Sequence, residues 1–186
     1  MMRLVLLAAV AALAVACSPA EEVDVMSEGC DARGFSQWAV GAETFTIEAT
    51  TFGPDCARAV ATLTVRNSSG EPIFAESHIA RDLMTLAGAQ DPAAMNEALS
   101  EWVAPDAAMG GTGALPEWEA NAEAPSAGEF PFYPENHPHG YSREAYAALR
   151  AANAPMFCFV QGMESLACIA YGDGGIENIG VQTFPG

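Results

Sequence analysis

The chain has 186 residues, with 24 acidic residues against seven arginines and no lysine, a formal charge of −17. Chemistry that needs a lysine amine is excluded, whether a P-loop lysine, a Schiff base or a Ser-Lys dyad. Nucleic acid is excluded as a partner, because its phosphates require clustered cations, and the length suits one domain rather than two.

Residues 1–16 hold one early cation, Arg3, followed by an unbroken apolar run from Leu4 to Ala16. That is the layout of a secretory signal peptide, and the run falls short of the about 20 residues that span a bilayer as a helix. It ends Leu13-Ala14-Val15-Ala16-Cys17, small residues directly before a cysteine. This stretch resembles the lipobox of bacterial lipoproteins, with Ala14 where that pattern usually has leucine. The resemblance implies cleavage before Cys17, diacylation of its sulfur and acylation of the new amine, and several acyl chains together hold a protein on a membrane stably. Ser18 stands where an aspartate would resemble the inner-membrane retention signal, so the family implies sorting to the periplasmic side of the outer membrane. Cleavage as an ordinary signal peptide after Ala16 is the alternative. Residues 17–29, with Glu21, Glu22, Asp24 and Glu28, are expected to be a lipidated tether. Residues 30–186 are expected to form a single periplasmic domain.

With Cys17 set aside, Cys30, Cys56, Cys158 and Cys168 remain, an even number in an oxidising compartment. Of the three possible pairings, local geometry favours Cys30 with Cys56 and Cys158 with Cys168. Met156–Val160 and Leu166–Tyr171 read as buried strands, and a hairpin centred on Met163 sets Cys158 opposite Cys168.

Alternation of apolar and polar residues predicts strands over Glu43–Thr50 and Val60–Arg66, then a turn at Asn67-Ser68-Ser69-Gly70 and a returning strand over Pro72–Ser77. A first helix is predicted over Ile79–Ala87, stopped by Gly88. A second has Asp91 as its cap and Pro92 at its first position, with a stripe of Met95, Ala98, Leu99, Trp102 and Val103. A third runs over Ser142–Ala152, with Tyr146 and Leu149 on one side. After Gly172-Asp173-Gly174-Gly175, Ile176–Thr183 reads as a last strand. The expected fold is therefore α+β: an antiparallel sheet of about six strands, covered on one face by about three helices, with two disulfides.

Residues 105–141 hold six prolines and five glycines and read as one long loop without periodic structure. Its aromatics, Trp118, Phe130, Phe132, Tyr133 and Tyr141, provide area either to pack back onto the core or to accept a partner; Trp118, Phe132, Tyr133 and Tyr141 are the candidate binding residues. The same stretch carries His137-Pro138-His139 beside Glu135, the right ligand types for zinc or copper but lacking a third ligand at a recognisable spacing. Catalytic motifs such as His-Glu-x-x-His and Gly-x-Ser-x-Gly are absent, His78 sits at a strand-to-helix junction, and nothing in the sequence calls for a cofactor or metal.

Without Arg3 the formal charge becomes −18, a field that steers cationic partners. The sequence thus favours a non-enzymatic, outer-membrane-anchored lipoprotein domain, bound to the membrane through its lipid and binding a protein, cationic peptide or envelope component. An enzyme or metal-binding protein built on His137 and His139, or a structural envelope protein, are the alternatives.

Overall fold

The alternating segments build two sheets. In the computed structural model, residues 29–104, 109–134 and 140–184 are described. Strands β1 (Ala32–Val40), β2 (Glu43–Phe52), β3 (Val60–Arg66) and β4 (Pro72–Ile79) form a four-stranded antiparallel meander in chain order. Strands β5 (Met109–Gly111), β6 (Ser126–Ala127), β7 (Phe130–Tyr133), β8 (Pro155–Val160), β9 (Ser165–Gly172) and β10 (Gly175–Thr183) form a second sheet in the order β5-β8-β9-β10-β7-β6. Two α-helices, α1 (Pro92–Trp102) and α2 (Arg143–Ala152), complete the architecture among the described residues. The class is α+β as expected, but with two sheets and two helices in place of one sheet and three helices.

The sheets are held apart by what they bury. One face of the meander supplies Trp38, Phe45, Ile47, Ala49, Leu63 and Val65 to a core shared with Phe157, Phe159, Ala167 and Ile169 of the second sheet. The opposite face of that second sheet presents Met156, Cys168, Ala170 and Ile179 to Leu115, Phe132 and Tyr146. Because β8 and β9 are covered on both sides, their sequences are nearly continuous apolar runs rather than alternating ones. The cysteines pair as the spacing predicts, Cys30 with Cys56 and Cys158 with Cys168, the latter directly opposite in register.

Helix α1 starts where the sequence places it. The Asp91 carboxylate accepts from the Ala94 amide at 2.9 Å, and Pro92 follows at the first helical position. Its apolar stripe, Met95, Leu99 and Trp102, is buried against the meander, and the Trp102 indole donates to the Val160 carbonyl at 2.8 Å. Helix α2 is likewise capped by Ser142, whose hydroxyl accepts from the Ala145 amide at 3.2 Å. It closes on Asn153 in the left-handed conformation, φ 46°, before Pro155 begins β8.

Three sequence expectations fail for identifiable reasons. The helix expected over Ile79–Ala87 is a short 3-10 helix, Ala80–Asp82, followed by turns. Ile79 is still paired to Val60 in the meander, Leu83 is extended at φ −102° and ψ 122°, and the Met84 amide is taken by the Gly162 carbonyl instead of continuing a helix. Strand β1, with no counterpart in the sequence reading, has small residues on its buried face because α1 crosses it there. A Cβ on Gly34 would lie 2.6 Å from the Leu99 carbonyl carbon, while Phe35 points outward. The expected loop over 105–141 contains β5, a 3-10 helix at Thr112–Ala114, β6 and β7, each of four residues or fewer and thus too short to show a period.

Candidate interaction surfaces

Helix α2 organises the proline-rich segment before it. Arg143, Tyr146 and Arg150 lie along one side of the helix and each captures main-chain carbonyls of that segment. Arg143 donates to the Trp118 carbonyl at 3.2 Å, to the Glu119 carbonyl at 2.6 Å and to the Ala122 carbonyl, while its guanidinium sits 4.7 Å from the centre of the Trp118 ring. The Tyr146 hydroxyl donates to the Pro116 carbonyl at 2.8 Å, and Arg150 Nε to the Leu115 carbonyl at 2.9 Å. At the helix end, Thr112 donates its hydroxyl to the Leu149 carbonyl at 2.6 Å and accepts from the Ala154 amide at 3.0 Å. Burial raises the Tyr146 phenol to about 12, against a smaller opposing effect of Arg150. Burial also raises Tyr141, with Glu177 adding in the same direction.

This arrangement decides where the expected binding aromatics go. Trp118 is half-buried, with its indole donating to the Ala122 carbonyl at 3.1 Å and its ring edge-on to Tyr146. Phe132 is only 1% exposed and belongs to the core beneath α2, so it presents no face to a partner. Tyr141 packs beside the same core, and Phe130 meets Phe184. Tyr133, at 48% exposure, is the most open of the four candidates. Cys17, His137 and His139 lie outside the described residues. Among the described residues no group of three or more His, Cys, Asp or Glu side chains is arranged to hold a metal ion. His78 lies within β4, at the junction the sequence indicates. Its ring is framed by Trp102 and Phe159, and Nε2 is 3.1 Å from Glu76 Oε1 without hydrogen-bond alignment.

A more open site lies where three tight turns converge at one end of the two sheets. The β1–β2 turn contains Gly41 at φ +61°, the β9–β10 turn places Gly175 at φ +105°, and the β3–β4 turn is built by Asn67. Asn67 Oδ1 accepts the amides of Ser69 and Glu71, both at 3.0 Å, and its Nδ2 donates to Glu71 Oε2 at 3.0 Å. Between these turns is a cleft of about 460 Å³, lined by Glu43, Ser68, Ser69, Tyr171 and Ile176 over the edge of Phe45. Phe45 and Tyr171 meet edge to face, with ring centres 5.0 Å apart. A carboxylate beside an aromatic ring matches the needs of an ammonium or guanidinium group, which gains from both the charge and the ring quadrupole. Two of the turns, at Asn67–Gly70 and Gly172–Gly175, are visible in the sequence, whereas the β1–β2 turn escapes it together with β1. The meeting of the three is not visible there, because it depends on how the two sheets stack.

Comparison with known proteins gives no match: no family model, curated protein or solved structure is similar to this chain.

Proposed function

We propose that this chain is a lipid-anchored envelope protein, attached through Cys17 to the periplasmic side of the outer membrane, whose domain binds a cationic protein or peptide without catalysing a reaction. The observation that carries this reading is the state of the charges. Of the six arginines in the described residues, Arg58, Arg66, Arg81 and Arg150 face carboxylates, and Arg143 is committed to carbonyls. The acidic excess is therefore left facing solvent, where it steers basic partners and repels acidic ones. The cleft of Glu43 and Tyr171 offers such a partner a specific contact, since a field screened within about 8 Å at physiological salt sets preference rather than identity.

The test has two arms. Intact-mass measurement on the membrane-extracted chain should find acyl chains, and Cys17→Ser should move the protein to the soluble periplasmic fraction. Titration with a lysine-rich peptide should show salt-sensitive binding that Glu43→Gln weakens several-fold, while a glutamate-rich peptide of equal length does not bind. Absence of acyl mass refutes the anchor. Equal binding of the two peptides, or binding indifferent to salt, refutes the cationic partner and favours a structural role.

A further inference from the structure

The opposite end of the meander has a different character. Five of the eight large apolar side chains that stand exposed among the described residues are Phe52, Val60, Ile79, Met84 and Met163. Phe52 closes β2, Val60 opens β3 and Ile79 closes β4, and the register sets them side by side, Phe52 opposite Val60 and Val60 opposite Ile79. Phe52 is 76% exposed, more than any other large apolar residue described. Beyond Ile79, the segment carrying Met84 is joined to the β8–β9 turn carrying Met163, through the Met84 amide and the Gly162 carbonyl at 3.2 Å.

The chain enters the domain at this same end. The Cys30 amide donates to the Gly53 carbonyl at 2.9 Å, and Cys30 is joined to Cys56 in the loop that follows Phe52. Gly29, at φ +66°, lies close against the end of β2, since a Cβ there would stand 3.0 Å from the Gly53 oxygen. The segment that leads back to Cys17 therefore departs from beside Phe52. Only 12 positions of sequence separate Gly29 from Cys17.

We propose that the domain rests on the lipid bilayer through this end, with the row Phe52, Val60 and Ile79 at headgroup level and Met84 and Met163 beside it. The proposal rests on the reading of Cys17 as the lipid carrier. A short tether then turns a weak apolar contact into an intramolecular one at high effective concentration. The local charges permit it: Arg58 pairs with Asp55 at 2.6 Å, and Arg81 lies 3.7 Å from Asp82. Arg33, whose guanidinium has no partner among the described residues, borders a groove of about 480 Å³ that also touches Phe52, so a headgroup phosphate has a cation to meet. Asp31 and Glu164 keep the contact shallow rather than inserted. Net charge opposes an anionic bilayer and a second copy alike, and what favours the bilayer is that the anchor already brings it to this end of the domain, whereas a second copy has to be met by diffusion.

The experiment uses the chain as the cell makes it, its acyl mass measured first, reconstituted in phosphatidylethanolamine and phosphatidylglycerol vesicles with brominated acyl chains. Phe52→Trp places a reporter on the row, and Phe35→Trp places one on the same outer face, farther from the exit. Both are read as difference spectra against the parent chain, whose Trp38 and Trp102 are buried and whose half-buried Trp118 packs on Tyr146 of α2. The expected result is a blue shift and loss of emission for Phe52→Trp and neither for Phe35→Trp. Emission from Phe52→Trp equal to that in buffer, on a chain that carries its lipid, overturns the docking and leaves the anchor intact. If no acyl mass is found, the anchor reading fails by itself. Docking is then decided by adding the same variants to vesicles in large excess, where an unchanged spectrum overturns it. A blue shift that appears without lipid and grows with protein concentration, alongside a dimer mass, assigns the row to a second copy and also overturns the proposal.

Discussion

Removing Arg143 tests whether the proline-rich segment is held by α2 or merely lies against it. The guanidinium satisfies carbonyls at residues 118, 119 and 122 and covers the Trp118 ring. A hydrogen bond to a charged group contributes about 1.5–3 kcal/mol net. A partly exposed cation over a ring adds about 0.5–1 kcal/mol. Arg143 is half-exposed and water replaces part of what is lost, so Arg143→Ala should cost about 2–3 kcal/mol rather than the full sum. For a domain of this size that is a fall in Tm of about 5–10 °C. Arg143→Lys keeps the charge but cannot span the separated carbonyls with one ammonium, so it should recover only part of the loss. Urea denaturation gives the global figure, and hydrogen exchange of the amides between 116 and 122 gives the local one. Introducing Arg143→Ala into a Trp118→Leu background should show a coupling of about 1 kcal/mol. A loss within about 0.5 kcal/mol, the range of an ordinary surface substitution, together with unchanged exchange of those amides, would refute the clamp.

Three further outcomes follow from the geometry. Tyr146→Phe should remove the bond to the Pro116 carbonyl and with it an alkaline dependence of stability. The folded phenol titrates near 12 against an ordinary value of 10.0, so its contribution is complete below pH 10 and is lost as pH rises towards 12; urea midpoints across that window should fall less in the variant than in the parent, the remaining fall coming from Tyr141, which burial also raises. Replacing Cys30 and Cys56 by serine should cost about 3–4 kcal/mol from loop entropy, and replacing Cys158 and Cys168 about 2–3 kcal/mol, because the sequence separations are 26 and 10. Equal losses in denaturant melts would show that loop length does not govern the difference. Gly34→Ala should destabilise by about 1–3 kcal/mol through overpacking, since its Cβ meets the main chain of α1 at Leu99 and Ser100 rather than a side chain that can turn away.

Local chemistry carried much of the fold into the sequence. Asp91-Pro92 and Ser142 announce the two helix starts because caps act over one turn. The pairing of Cys158 with Cys168 follows from a hairpin whose midpoint is countable. What escaped depends on partners distant in the chain. Gly34 weakens the apolar period of β1 because α1 occupies the space its side chain would fill. Met84 leaves a helical path because its amide meets Gly162, and Phe132 becomes core because α2 closes over it. Aromatic content alone marked Trp118 and Phe132 as candidates for binding. Their burial follows from the carbonyls that α2 gathers, and no window of sequence around either residue contains that information.

The contrast between the two ends has the same origin. In an antiparallel meander every turn lies at one end or the other, so each strand contributes its first residues to one end and its last to the opposite one. Glu43 opens β2 beside Asn67 and the β9–β10 turn, while Phe52 closes the same strand beside Val60 and Ile79. A single ten-residue strand thus carries a carboxylate to the cleft and a phenylalanine to the end where the chain arrives from Cys17. Taken along the sequence these residues are unremarkable, one exposed acid and one exposed aromatic. Sorted by topology, they separate an acidic, aromatic-floored cleft from an apolar rim across the length of the strand, about 30 Å at the usual rise per residue. A protein held by a short tether at its apolar end would present that cleft away from the membrane, where a cationic partner can reach it without approaching the bilayer.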